Sequence, residues 1–331
     1  MSKVRIGFIG CGGMAQHHGR VFVNQVKDAD IVALCDTSKQ SLKNFTAAVW
    51  KDQPPRLGLY SDYTAMLKKE KIDGIVIISP HTLHTRQILD SLRAGVHVLV
   101  EKPMVTTSAD AHRVIAAQQK SGLTVSISFQ GIHSSEFAYI RNLVREGGLG
   151  DIGLISAVVS QNWKKGTSGT WRQQPRMSGG GQAYDSGAHM FSAILDLSGA
   201  RPIEVFAFAD NAGTPVDIFM AASIRFDNGC LATAAVSGDT PIMEEGVYIS
   251  GTGGSIKTAI YGGRLEQWDK TDRVKYPHVN PTASPQQNFV DCIQGRDTTP
   301  APPALGLKQA LLMEALYKSA ATGKPVKIAR E

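Results

Sequence analysis

Short β-branched runs alternate with amphipathic stretches through residues 1 to 125 of the 331-residue chain, the signature of a parallel sheet wrapped by helices. Val4 to Ile9, Ile31 to Cys35, Ile75 to Ile78, Val96 to Val100 and Thr124 to Phe129 read as strands, with helices over 13–27, 62–70, 84–94 and 108–121. Ser108 and Asp110 offer a helix start, and Gly95 and Gly122 stand where helices stop. After a helical patch near Glu136 to Glu146 the pattern changes to longer alternating runs: Ile155 to Ser160, Ile203 to Ala209, Ile218 to Phe226, Cys230 to Ser237 and Val247 to Gly251. Asp227-Asn228-Gly229 between two of them signals a hairpin, so a predominantly antiparallel sheet is expected. The chain closes with a helix from Ala304 or Leu305 to about Thr322, where Leu307, Leu311, Leu312, Ala315 and Leu316 recur at helical spacing. The expected fold class is α/β, with one domain over 1–125 and a second over 126–331.

Length supports that division, because single cores stop growing at about 250 to 300 residues. Hydrophobic residues at 42% and charged residues at 19% exclude a disordered chain. The net charge of +6 is spread along the sequence rather than clustered in a stripe, so no nucleic-acid partner is expected; its field instead favours approach of an anionic cofactor. Cys11, Cys35, Cys230 and Cys292 lack paired spacing, which argues against a disulfide framework or a zinc site and for a reducing compartment. The amino end runs into a strand pattern without a signal peptide, and no apolar stretch reaches the roughly 20 residues that span a bilayer. A cytoplasmic protein without membrane contact is expected.

Candidate chemistry sits where strands end. Gly10-Cys11-Gly12-Gly13-Met14-Ala15 is a G-x-G-x-x-A that follows a strand and opens a helix, the context of a Rossmann dinucleotide site. Gly10 permits the tight turn, Gly12 lets a pyrophosphate approach the backbone, and Ala15 allows close helix packing. Free amides at the helix start then face the phosphates. Asp36, ending the second strand, is placed to accept from ribose hydroxyls and to repel a 2′-phosphate, which favours NAD; Ser38 and Lys39 nearby leave NADP possible. Ser79 and Pro80 follow the Ile75 to Ile78 strand onto the same edge. His81 and His84 have no carboxylate or cysteine at ligand spacing, so no metal is expected. Glu101-Lys102-Pro103 delivers a lysine at the carboxyl end of the Val96 to Val100 strand. The expected cofactor contacts are Gly10, Gly12, Gly13, Met14, Ala15, Asp36, Ser79, Pro80, His84, Glu101 and Lys102.

A second cluster runs from Gly179-Gly180-Gly181 through Asp185 to His189. If the segment is helical, Asp185 and His189 share one face, and a carboxylate beside an imidazole suits proton transfer near neutral pH. Trp163 and Arg172 in the polar stretch before it, and Gln130 after the last parallel strand, are candidates for substrate contact.

Taken together, Glu101-Lys102-Pro103, the three glycines and Asp185-x-x-x-His189 resemble the Gfo/Idh/MocA family, relatives of glucose-fructose oxidoreductase and inositol dehydrogenase. The resemblance covers essentially the whole chain and extends to Gly251-Thr252-Gly253-Gly254-Ser255-Ile256 and to Ala310 through Ala320. It implies an amino-terminal Rossmann domain and a carboxyl-terminal substrate-binding α/β domain whose open sheet makes a homo-oligomer, a dimer or tetramer. It also implies NAD(P)-dependent oxidation of a secondary alcohol on a sugar or cyclitol, or the reverse. By matching position, Lys102 contacts the substrate hydroxyl and nicotinamide ribose, Asp185 binds or orients, and His189 is the general base. The active site is then expected between the domains. His81 stands where the family more usually has asparagine. Two other activities suit the same resemblance: a glycosidase or lyase that oxidises, eliminates and re-reduces with no net redox change, and a non-catalytic dinucleotide sensor.

Overall fold

The computed structural model describes residues 2–51, 53–271 and 273–330. Contacts divide the chain into two units. The first comprises Met1–Met104, Ala109–Ser128 and Ala283–Pro303, and the second Val105–Ser108, Phe129–Thr282 and Ala304–Glu331.

The first unit is a six-stranded sheet of β1 (Val4–Ile9), β2 (Ala29–Cys35), β3 (Gly58–Tyr60), β4 (Gly74–Ile77), β5 (His97–Val100) and β6 (Val125–Ile127). Its order is β3-β2-β1-β4-β5-β6 with every pair parallel. Helices α1 (Gly13–Gln25), α2 (Lys39–Trp50), α3 (Tyr63–Lys69), α4 (His84–Arg93) and α5 (Ser108–Ser121) connect the strands. All four residues of β4 are buried, as are all of β1 but Arg5, which is why these strands read as unbroken apolar runs. The periodicity did not predict α2 or β3. In α2 only Leu42, Phe45 and Val49 are buried, so its apolar stripe is narrow, and β3 is a three-residue edge strand.

In the second unit, α6 (Ser135–Arg145) leads into a nine-stranded sheet. Its elements are β7 (Ile152–Ser160), the short α7 (Trp163–Gly166) and α8 (Pro175–Ser178), α9 (Gly187–Leu197), β8 (Pro202–Asp210), β9 (Phe219–Phe226), β10 (Leu231–Ser237), β11 (Glu244–Gly251), β12 (Gly254–Thr258), β13 (Leu265–Asp269) and β14 (Val274–Lys275). After α10 (Pro285–Ile293) come α11 (Pro303–Thr322) and β15 (Val326–Lys327). The strand order is β14-β13-β12-β11-β7-β10-β9-β8-β15, antiparallel except for β7 with β10. Asp227-Asn228-Gly229 makes the β9–β10 turn: Phe226 N–H donates to the Cys230 carbonyl at 2.9 Å and Gly229 takes a φ of 89°.

A single cut at 125/126 does not describe this division, because Ala283–Pro303 returns to the first unit. The cause is packing: α10 carries Phe289 and Val290 into the core with Val4, Ile6, Phe8, Val76 and Leu99, and Phe289 lies against Gly74 of β4. Phe289→Ala is therefore expected to lower stability by about 3–5 kcal/mol in denaturant unfolding. A loss below about 1 kcal/mol would contradict a core role for α10.

Candidate active site

The strand order of the first unit reverses between β1 and β4, and open parallel sheets hold ligands at the carboxyl ends of strands beside such a reversal. Gly10 follows β1 with a φ of 90°, and a Cβ there would lie 2.5 Å from the Ile78 carbonyl oxygen, so only glycine suits the turn. At Gly12 and Gly13 an added Cβ would meet nothing within 4 Å. Helix α1 starts there with no side-chain cap and no acidic residue in its first turn. An uncapped helix start with open space beside its two glycines suits a pyrophosphate. Met14 is exposed, and Ala15 is fully buried where the helix packs closely.

Asp36 is held by two backbone amides: Cys11 N–H donates to Oδ2 and Ser38 N–H to Oδ1, each at 2.8 Å. A carboxylate has about four lone-pair sites, so both oxygens can still accept from ribose hydroxyls. The glycine loop and Asp36 together match what NAD requires.

Ser79, after β4, donates from Oγ to Gln87 Oε1 at 2.5 Å, and Pro80 beside it is half-buried. His84 departs from the sequence expectation. It is wholly buried, with Nδ1 2.9 Å from the Pro103 carbonyl and Nε2 2.9 Å from the Ser79 carbonyl. It ties the segment after β4 to the segment after β5 and has no free ring nitrogen for a cofactor. His81 is buried, its ring 5.9 Å from that of His84.

Lys102 is half-buried past the end of β5, between the buried Glu101 and Pro103, and the Lys102–Pro103 peptide is cis. Glu101 Oε1 lies 2.7 Å from His18 Nε2, and Oε2 accepts from Lys102 N–H at 3.2 Å.

In the second unit, Asp185 is not on the helix of His189. Helix α9 begins at Gly187, and Asp185 lies in the preceding turn, its N–H donating to the Gly181 carbonyl at 3.0 Å. Trp163 and Arg172 converge on it: Asp185 Oδ2 accepts from Trp163 Nε1 at 2.8 Å and from Arg172 Nε at 3.0 Å. Asp185 is only 5% exposed, and these two charge-assisted bonds fix the direction of its carboxylate. Arg172 also covers the Trp171 ring, with Cζ 4.6 Å from the ring centroid. The half-buried His189 ring sits 4.8 Å from that of Tyr261 and 6.1 Å from that of Phe129. Gln130, next to Phe129, is exposed.

Sequence reasoning did not find the residues that set this turn. Asp217 is buried and grips it: Gly181 N–H and Tyr317 O–H donate to Oδ1 at 2.7 and 2.6 Å, and Ala183 N–H donates to Oδ2 at 2.8 Å. A Cβ on Gly181 would fall 2.0 Å from the Asp217 carbonyl oxygen, which accounts for one glycine of the run. Burial, with Asp217 beside it, pushes the Tyr317 phenol well above the ordinary tyrosine range. Tyr261 was also missed; burial first, then Glu245 and Asp185, push its phenol up to about 12. It therefore stays a neutral hydrogen-bonding group beside His189 at any physiological pH.

Residues 4–129 match the family described as "Oxidoreductase family, NAD-binding Rossmann fold", and residues 137–257 match the "GFO/IDH/MocA C-terminal domain". Among curated proteins, the D-glucoside 3-dehydrogenase of Escherichia coli is 24% identical over 99% of this chain and 98% of its own. The inositol 2-dehydrogenase of Salmonella typhimurium is 28% identical over 44% of this chain and 43% of its own. Among solved structures, the aldose-aldose oxidoreductase of Caulobacter crescentus complexed with glycerol superposes with a TM-score of 0.86 at 22% identity, covering 98% of this chain and all of that one. The WlbA dehydrogenase of Bordetella pertussis, in complex with NADH and UDP-GlcNAcA, gives 0.84 at 21% identity over 99% of this chain and all of that one.

The open space at Gly12 separates binding from stability. Gly12→Val, at a φ of −73° with no neighbour to strike, is expected to leave stability within about 0.5 kcal/mol of wild type while abolishing NAD binding measured by calorimetry. Retained NAD affinity would contradict a phosphate site at this helix start.

Proposed function

The chain belongs to the Gfo/Idh/MocA oxidoreductase family, and on that premise we propose that it oxidises a secondary alcohol of a sugar, sugar derivative or cyclitol with NAD, or runs the reverse reduction. The observation that carries this reading is the delivery of half-buried Lys102 at the carboxyl end of β5, in the unit whose glycine loop has open space beside Gly12 and Gly13. The relatives named for glucoside and inositol dehydrogenation support a polyhydroxylated substrate.

Bound NAD supplies the acceptor for the electrons that leave the carbinol carbon. Lys102 holds the substrate hydroxyl and steadies negative charge as it develops on that oxygen. His189 takes the hydroxyl proton. Asp185, aimed by Trp163 and Arg172, accepts from a neighbouring substrate hydroxyl and orients the ring; Gln130 is a further candidate contact. Positioned proton transfer contributes about two to four orders of magnitude in rate, and a donor to a developing oxyanion roughly two to three. Asp36 accepts from the adenosine ribose and would repel a 2′-phosphate, which makes NAD the preferred cofactor over NADP.

The second sheet supports self-association. Phe208 and Leu231 are 64% and 45% exposed, and Phe206 lies edge-on to Phe208, an apolar face suited to a second copy of the chain.

A panel of sugars and cyclitols incubated with NAD is expected to show reduced nicotinamide growing with at least one of them. Lys102→Ala is expected to lower kcat by about 100-fold or more with NAD affinity within threefold of wild type. Near-normal turnover in that variant would remove Lys102 from the chemistry.

A further inference from the structure

Gln182 stands in the turn that carries Asp185: its N–H donates to the Asp217 carbonyl and its carbonyl accepts from Gly187 N–H, each at 2.9 Å. The residue is 0% exposed, yet among the described residues neither Oε1 nor Nε2 of its side chain has a hydrogen-bonding partner. Gln161 Nε2 is a third buried atom of the same kind. The two side chains belong to one place. Gln161 N–H donates to the Ser237 carbonyl at 2.9 Å, which carries the parallel ladder of β7 and β10 one residue past the Ser160–Ser237 pair and sets Gln161 beside Gly238. Val159 and Val236 are buried, and strand alternation puts Gln161 and Gly238, two residues on, toward the same face. Gly238 has no side chain, and a Cβ built there would lie 3.4 Å from Gln182 Cβ. Gln182 thus covers Gly238, one strand spacing of about 4.8 Å from Gln161.

We propose that Gln161 and Gln182 bind one internal water, and that this water joins the end of β7 to the Asp185 turn. Buried polar groups in folded proteins are nearly always paired, and leaving one unmade costs its whole desolvation. An internal water takes roughly two to four polar partners and usually makes about three bonds. Here one water donates to Gln182 Oε1, accepts from the Nε2 hydrogen on the same edge of that amide, and accepts from Gln161 Nε2. Because Gln182 is fully buried, the partner is a water rather than a group of the substrate. The segment after β7 also reaches Asp185 directly: Trp163 N–H donates to the Gln161 carbonyl at 2.8 Å, and the Trp163 indole donates to Asp185 Oδ2. Lys164 N–H donates to the Gly238 carbonyl at 2.7 Å, so both segments meet at Gly238. Gln161 and Gln182 are therefore positioning residues for Asp185. That role rests on the reading of Asp185 as a substrate-binding group; the water site itself does not.

The test does not need turnover. A high-resolution crystal structure of the full-length protein is expected to show one ordered water within hydrogen-bonding distance of both glutamine side chains. A site without that water, or a glutamine turned out to solvent, overturns the proposal. Gln182→Met keeps the shape of the side chain and removes the amide. Were the amide merely unpaired, that change would raise Tm; with the water in place it strips partners from the water and from Gln161, and Tm is expected to fall by about 2–4 °C. A Tm at or above wild type overturns the proposal. Gln161→Met combined with Gln182→Met removes both sides of the site, so the pair is expected to lose less than the sum of the two single losses, and strict additivity overturns it. The indole Nε1–H signal of Trp163, assigned by its absence in Trp163→Phe, is expected to shift in the NMR spectrum of Gln182→Met, because its acceptor Asp185 is held by the same turn. An unmoved indole signal overturns the joining role. Should Gln182→Met fail to fold, the crystal structure of the unaltered protein decides. Absence of any sugar activity would defeat the proposed function, and the water and the Tm shifts would still decide this one.

Discussion

The parallel pairing of β1 with β4 is the contact on which the cofactor end of the molecule depends. To one side the chain proceeds through β2 and β3, to the other through β5 and β6, so the carboxyl ends of β1, β2, β4 and β5 open onto one edge. That edge collects Gly10 to Ala15, Asp36, Ser79 and Glu101-Lys102-Pro103. The close approach of Gly10 to the Ile78 carbonyl is the pairing's tightest consequence, since any side chain there would force the two strand ends apart.

A single device recurs around the chemistry: a carboxylate that receives backbone amides and so freezes a loop. Asp36 receives Cys11 and Ser38, Glu101 receives Lys102, and Asp217 receives Gly181 and Ala183. Such bonds are charge-assisted and directional, and loops that must present groups to a ligand gain rigidity from them without a large core of their own. Asp185 is the converse case. Its carboxylate receives side-chain donors, Trp163 and Arg172, on one oxygen, and they fix its direction.

What the sequence shows plainly is whatever is local. Strand runs of β-branched residues, the glycine motif between β1 and α1, the hairpin at Asp227-Asn228-Gly229 and the apolar spacing of α11 all depend on neighbours a few residues away. Contacts between distant segments were not legible. Asp217 lies more than thirty residues from the turn it grips, and α10 returns to the first unit across some 150 residues of the other. His84 looked like a ligand contact because it follows a strand end, whereas folding closes both of its nitrogens on carbonyl groups. Spacing alone suggested that Asp185 shares a helix face with His189; the helix starts two residues later, and side chains from elsewhere aim the carboxylate. His18 did carry a signal, a histidine inside an apolar helical stripe, but its partners Glu101 and Gln286 come from other elements.

The central claim is that the chain moves electrons from a carbinol carbon to NAD with net oxidation. A substrate deuterated at that carbon tests it most directly. The account predicts that, in a single turnover, the deuterium is recovered in the reduced nicotinamide together with one equivalent of ketone product. Product formed with the cofactor left oxidised at the end of the reaction would contradict it, and would point instead to oxidation followed by elimination and re-reduction.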